Sequence, residues 1–184
     1  MTPVPGRAVP GPVCEEHAMF SLKSIHPDAI PGALERVERY RLLNEPELAE
    51  SICEDVLAIQ PDNQTALVML LLSLTDQFRS DRTDRVGRAQ ELLQRLDSEY
   101  ERLYYAGIIR ERRGLALLDR GGPGSDSSAY QWIHEAMTYY ERAEALRPVG
   151  NDDAILRWNT CARVCLRHHL EQEAEEYQPV LEDF

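Results

Sequence analysis

Hydrophobic residues recur at three- and four-residue spacing along most of the chain from about residue 30 onward. Such spacing places them on one side of an α-helix. The first stripe consists of Leu34, Val37, Tyr40 and Leu43. A second stripe begins at Leu48 and stops before Pro61, because proline cannot continue a helix. The pattern therefore predicts a pair of antiparallel helices over residues 30–63.

The connection inside this first hairpin is short. We expect Asn44 to cap the second helix, because its side chain can accept a bond from a free backbone N–H. Pro46 is tolerated in the first turn, and Glu47 stands three residues after Asn44, as in a capping box.

Two further hairpins are predicted, over residues 64–99 and 100–148. The segment from Ala66 to Leu74 is apolar on nearly every side, so its helix must be covered all round. We expect the loop after it, DQFRSDRTDRVG, to be a polar insertion of low energetic cost. The third hairpin opens with a long helix that ends at Gly121, and Ser127 or Ser128 caps the next one.

The remaining segments flank these hairpins. Residues 149–176 predict one last helix, and residues 177–184 form an acidic tail. Residues 1–17 are rich in Pro and Gly, which predicts a disordered arm. Residues 18–29 carry Met19, Phe20, Leu22 and Ile25, and could form an extra helix that packs on the array over 66–74.

The hairpins resemble the tetratricopeptide repeat, whose pattern is Trp-x2-Leu-Gly-x2-Tyr, Ala-x3-Phe and Pro over about 34 residues. The matching residues are Tyr40, Ala49 and Pro61 in the first unit, Ala89 in the second, and Leu103, Gly107, Ala136, Tyr140, Ala143 and Pro148 in the third. Cys53 and Leu93 occupy the aromatic site, and Arg110 stands at the Tyr position. The resemblance implies an all-α fold, a right-handed α-solenoid of stacked antiparallel hairpins. Three degenerate repeats would precede a C-terminal capping helix.

Composition and charge narrow the function classes. A chain of 184 residues with 43% hydrophobic residues suits one compact domain. The net charge of −12 disfavours nucleic acid as a partner, since phosphate binding needs a basic face. No stretch reaches the ~20 apolar residues of a membrane span. No signal peptide is recognisable and the four cysteines are scattered, so we expect a cytoplasmic protein with reduced thiols and no membrane anchor.

Chemistry-bearing motifs are few. Cys161, Cys165 and His168 share one helical side and could bind zinc or copper, or sense redox state. The alternative, which we favour, is that both cysteines are packing residues, because structural zinc normally draws ligands from two segments. HEAMT lacks the second His of a zinc-protease motif, and GGPGS lacks the Lys of a phosphate-binding loop. We therefore expect neither catalysis nor a cofactor.

The resemblance places a binding groove on the first helix of each hairpin. The predicted groove residues are Leu34, Val68, Leu72, Tyr104, Ile108, Arg112, Ile155, Asn159 and Arg163. Such a groove suits a peptide or amphipathic helix of a protein partner, with Arg and Asn holding its backbone or a carboxylate. An adaptor or assembly factor is the leading interpretation and a homo-oligomeric scaffold the alternative. Two further possibilities are that Leu72 and Ile155 only pack helix on helix, and that the N-terminal arm fills the groove.

Overall fold

The computed structural model describes residues 20–80 and 84–171. The arm 1–17, the tail 177–184 and the end of the 149–176 segment lie outside these ranges. Across the described residues every regular element is helical, which confirms an all-α fold. The α-helices are α1 Ile30–Leu42, α2 Pro46–Ile59, α3 Gln64–Asp76, α4 Asp84–Leu93, α5 Glu99–Arg120, α6 Ser125–Glu144 and α7 Asp153–His168, after a 3-10 turn at Pro27–Ala29.

The helices pack largely in chain order. The pairs α1–α2, α3–α4 and α5–α6 are close neighbours, and α7 packs on α6. Between pairs, α2 packs extensively on α3, α1 lies against α3, and α5 contacts both α3 and α4. The first helices of successive pairs are thus adjacent to one another.

The core has two main parts. One surrounds α3, whose Leu67, Leu71 and Leu74 are completely buried against α1, α2, α4 and α5. The cover predicted for this all-round apolar helix is therefore present. The other part joins α5, α6 and α7 around Ile133, Tyr140 and Cys161.

Two glycines allow α5 and α6 to approach closely. A Cβ on Gly107 would lie 2.5 Å from Cε1 of Tyr140, and one on Gly114 would lie 2.7 Å from Cγ1 of Ile133. No real side chain occupies such distances. Glycine at these positions lets two long helices lie in contact along much of their length.

The connection between α1 and α2 differs from the prediction. Asn44 has φ 60°, and Glu45 N–H donates to the Tyr40 carbonyl over 2.9 Å, so Asn44 ends α1 in the left-handed conformation. The N-cap of α2 is Glu45, which makes no side-chain capping bond. Asn44 as cap of α2 was therefore wrong. The cap of α6 also differs, because this helix begins at Ser125 after Gly124 rather than at Ser127 or Ser128.

Two other segments depart from expectation. Residues 20–26 are not helical, so the helix expected over 18–29 is reduced in the described part to the turn Pro27–Ala29. Ile25 packs against a small cluster formed by Ile30, Ala33, Val56 and Ala66. The loop after α3 is also less polar than predicted, because Phe78 is only 3% exposed and belongs to the core. This phenylalanine anchors the inserted loop to the array.

Candidate interaction face

Four helices contribute to one surface, which we call the first-helix face: α1, α3, α5 and α7. Ion pairs join them in order. Arg41 Nε of α1 lies 2.8 Å from Asp76 Oδ2 of α3, and Arg112 of α5 pairs with the other oxygen of Asp76. Arg157 Nη1 of α7 lies 3.2 Å from Glu111 Oε1 of α5. Each helix of the face is thereby tied to the next.

Asp76 is the first of two carboxylates that join helices of this face by ion pairs. It accepts from Arg41 and Arg112, and the side chains of all three are about one-fifth exposed (19%, 21% and 23% for Arg41, Arg112 and Asp76). Arg112 Nη1 also donates to Thr75 Oγ1 over 2.6 Å and to the Leu72 carbonyl over 3.2 Å. Burial lowers the pKa of Arg112, and the nearby cations Arg41 and Arg157 act in the same direction, against the attraction of Asp76. The Asp76 carboxylate therefore forms ion pairs with two guanidinium groups.

Glu111 is the second carboxylate, and it is only 3% exposed. The Tyr140 hydroxyl donates to its Oε2 over 2.6 Å, while Arg157 donates to Oε1. Burial, and then the Glu111 carboxylate, raise the pKa of Tyr140. Burial opposes the charge on Arg157, but Glu111 and the Tyr104 hydroxyl outweigh it and raise the pKa of this arginine. The buried charge is thus paired and hydrogen-bonded, as a charge in a protein core must be.

The residues predicted for the groove differ in burial and in their contacts. Leu34, Val68, Leu72, Tyr104, Ile155 and Asn159 are half-buried, and Arg163 is exposed. Ile108 is only 2% exposed, so its prediction as a ligand contact was wrong, because the residue belongs to the core between α5, α6 and α7. Arg112 was predicted to hold a ligand, yet its guanidinium is engaged with Asp76 and Thr75.

A cleft of about 290 Å³ opens at one edge of the first-helix face, where α1 and α3 end. Its lining residues are Arg41, Asn44, Thr75, Asp76, Phe78, Arg79, Arg112 and Leu115. Of its arginines, Arg79 is the most exposed and pairs with Asp119 over 2.7 Å. The ion pairs of Asp76 with Arg41 and with Arg112 keep the rim of the cleft in a defined arrangement.

The cysteine and histidine residues of α7 do not converge. Cys161 is buried, Cys165 is half-buried and His168 is exposed. Burial raises the pKa of both thiols, which lowers the fraction of reactive thiolate. Among the described residues, no group of three or more His, Cys, Asp or Glu side chains is placed to hold a metal ion.

Sequence reasoning missed Asp76, Glu111 and Arg157. A signal for Glu111 was present, because it stands four residues after Gly107 and three before Gly114, on the side of α5 that faces α6. A carboxylate there had to be buried and paired. Asp76 carried no such signal, because it stands at the end of a helix with no glycine or apolar pattern to mark its position as buried.

Within residues 20–80 and 84–171, none of the helices combines the length and apolar character that crossing a membrane requires. Comparison of the chain with protein-family models, with curated protein sequences and with solved structures gave no match.

Proposed function

We propose that this chain is a non-enzymatic protein-interaction module of tetratricopeptide type, a right-handed solenoid that binds a peptide or helix of a protein partner. The site would be the first-helix face, and an adaptor or assembly factor in the cytoplasm is the role that suits it. The observation that carries this proposal is that Val68, Leu72, Tyr104 and Ile155, on three helices of this face, are half-buried apolar and aromatic side chains.

The surroundings of these side chains favour recognition by contact with a preformed surface. Asp76 and Glu111 fix the relative positions of the four helices, so little conformational entropy would be lost on binding. Tyr104 stacks on Tyr100 with ring centroids 5.8 Å apart and meets Tyr105 edge to face at 5.2 Å. Rigid, partly exposed tyrosines are frequent anchors at protein interfaces.

The charges of the face suggest what the ligand would need. Arg112 and Arg157 already form ion pairs with carboxylates of this chain. A ligand would therefore gain most of its binding free energy from apolar side chains that cover Leu72 and Tyr104. The metal or redox alternative has less support, because burial suppresses thiolate formation at Cys161 and Cys165.

A selection from a random peptide library displayed on phage would test the proposal. We expect the full chain to enrich peptides with two or more apolar anchors, and Tyr104→Ala to weaken their binding by about tenfold, a cost of ~1–2 kcal/mol for an anchor residue. Tyr130→Ala on α6 is the matched control, since Tyr130 is also half-buried but lies outside the first-helix face.

The outcomes separate clearly. Loss of binding in Tyr104→Ala with binding retained in Tyr130→Ala supports the face as the site, provided that both variants keep their helical circular dichroism. Enriched peptides that bind Tyr104→Ala as well as the wild type would move the site elsewhere. A library from which nothing is enriched would overturn the proposed function.

A further inference from the structure

The outer side of α7 carries a stripe that is both apolar and basic. Leu156 and Leu166 are 62% and 76% exposed, and Arg163 and Arg167 lie beside them at helical spacing. The acid of α7, Asp153, stands at the opposite end of the helix from Leu166 and Arg167. No ion pair connects Arg163 or Arg167 with another side chain in the described ranges. In a chain of net charge −12, this stripe is a distinct basic and apolar patch.

The opposite properties occur at α2. This helix contains Glu47, Glu50, Glu54 and Asp55 and no basic residue. Arg88 pairs with Glu50 and Glu54, whereas Glu47 and Asp55 form no ion pair in the part of the chain that the structure describes. Exposed leucines lie at the same end of the hairpin: Leu42, Leu43 and Leu48 are 82%, 63% and 48% exposed.

We propose that the stripe on α7 binds the acidic side of α2 and the adjoining leucines of a second copy of this chain. The two surfaces are opposite in charge, and each has exposed leucines that the contact would remove from water. This interaction goes beyond the proposed function, because it uses neither Leu72 nor Tyr104. The two surfaces differ, so the contact is heterologous and produces a chain or a ring of copies.

The overall charge does not prevent this contact. At physiological ionic strength the screening length is about 8 Å, so charges far from the contact repel only weakly. Arg163 and Arg167 would instead meet Glu47 and Asp55 at short distance. Reversing the charge on one side alone should therefore remove the attraction and add repulsion.

Two charge-reversed variants test the contact in sedimentation velocity runs over a wide range of concentrations. The first is Arg163→Glu with Arg167→Glu, and the second is Glu47→Arg with Asp55→Arg. We expect the wild type to self-associate, and each variant alone to associate at least tenfold more weakly. In a 1:1 mixture every α7 stripe again meets an α2 of opposite charge, so association should return.

A control with the same net-charge change as the first variant is Arg36→Glu with Arg142→Glu, which alters exposed arginines on α1 and α6. We expect this control to associate as the wild type does, and circular dichroism to show every variant folded. A wild type that remains monomeric over the whole concentration range would overturn the proposal. It would also be overturned by variants that associate unchanged, or by a mixture that stays as dissociated as its components.

Discussion

Gly107 lies directly against the ring of Tyr140, with only 2.5 Å between the place of a Cβ on Gly107 and Tyr140 Cε1. Because Tyr140 is completely buried, its ring has no free space into which to move. The contact therefore fixes how closely α5 and α6 approach, and with it the position of Glu111, which the Tyr140 hydroxyl binds.

Gly107→Ala should destabilise the fold by about 1–3 kcal/mol, because overpacking in a close-packed core forces neighbours to move. Gly87→Ala on α4 is the matched control, since a Cβ there meets nothing within 4 Å. At Gly87 the better helix propensity of alanine should stabilise by ~0.5–1 kcal/mol. Urea unfolding of both variants checks the pair, and equal effects of the same sign would contradict the α5–α6 packing described above.

Tyr140→Phe should destabilise by about 1–3 kcal/mol, because it leaves one oxygen of the buried Glu111 without its donor. Tyr130→Phe is the control, since the Tyr130 hydroxyl makes no hydrogen bond to a described residue, and its effect should stay within ~0.5 kcal/mol. Thermal unfolding followed by circular dichroism measures both. A loss at Tyr140 no larger than at Tyr130 would show that water replaces the missing hydroxyl.

Much of the fold could be predicted from the apolar pattern, because two stripes locate α1 and α2 and a segment that is apolar on nearly every side locates α3. The turn at Asn44 could not, since asparagine suits both an N-cap and a left-handed C-terminal position. Pro46 restricts Glu45 to a non-helical conformation, so the reversal takes place at Asn44. Whether Asn44 caps α2 or ends α1 therefore depended on Pro46, two residues later.

The charge contacts of the first-helix face could not be predicted from the sequence. Periodicity places Leu72 and Tyr104 on helices, but it does not show which charges meet across helices. Arg112 looked free in the sequence because its partner, Asp76, lies 36 residues earlier. Such a pairing depends on the lengths of two helices and of the inserted loop that Phe78 anchors.

High pH should weaken the fold partly through Tyr105. Burial, and then the neighbouring Glu101 carboxylate, raise the pKa of Tyr105 from 10.0 to about 12. Between these values the unfolded chain loses this proton and the folded chain keeps it. The contribution of Tyr105 is therefore complete below pH 10.0 and is lost as pH rises toward about 12.

Tyr105→Phe removes this titration, so its unfolding free energy should fall less steeply over the same pH range than that of the wild type. The difference should reach about 1–2 kcal/mol, because the hydroxyl is partly solvated. Urea unfolding at several pH values gives both curves. Parallel curves would show that Tyr105 titrates equally in the folded and unfolded chains.

Asp76→Ala should destabilise by about 2–3 kcal/mol, more than either Arg41→Ala or Arg112→Ala. Removing one arginine leaves Asp76 with the other, whereas removing Asp76 leaves two facing guanidinium groups without their shared counter-charge. In the Asp76→Ala background, Arg41→Ala should then cost little or even stabilise, and the double-mutant cycle reports this as a coupling energy of ~1 kcal/mol or more.

Asp119→Ala is the control, because Asp119 pairs with Arg79 at side-chain exposures of 51% and 74%, where an ion pair contributes under about 1 kcal/mol. If Asp76→Ala cost no more than Asp119→Ala, solvent would already screen the pairs at Asp76, and the first-helix face would lack the rigidity that its proposed function needs.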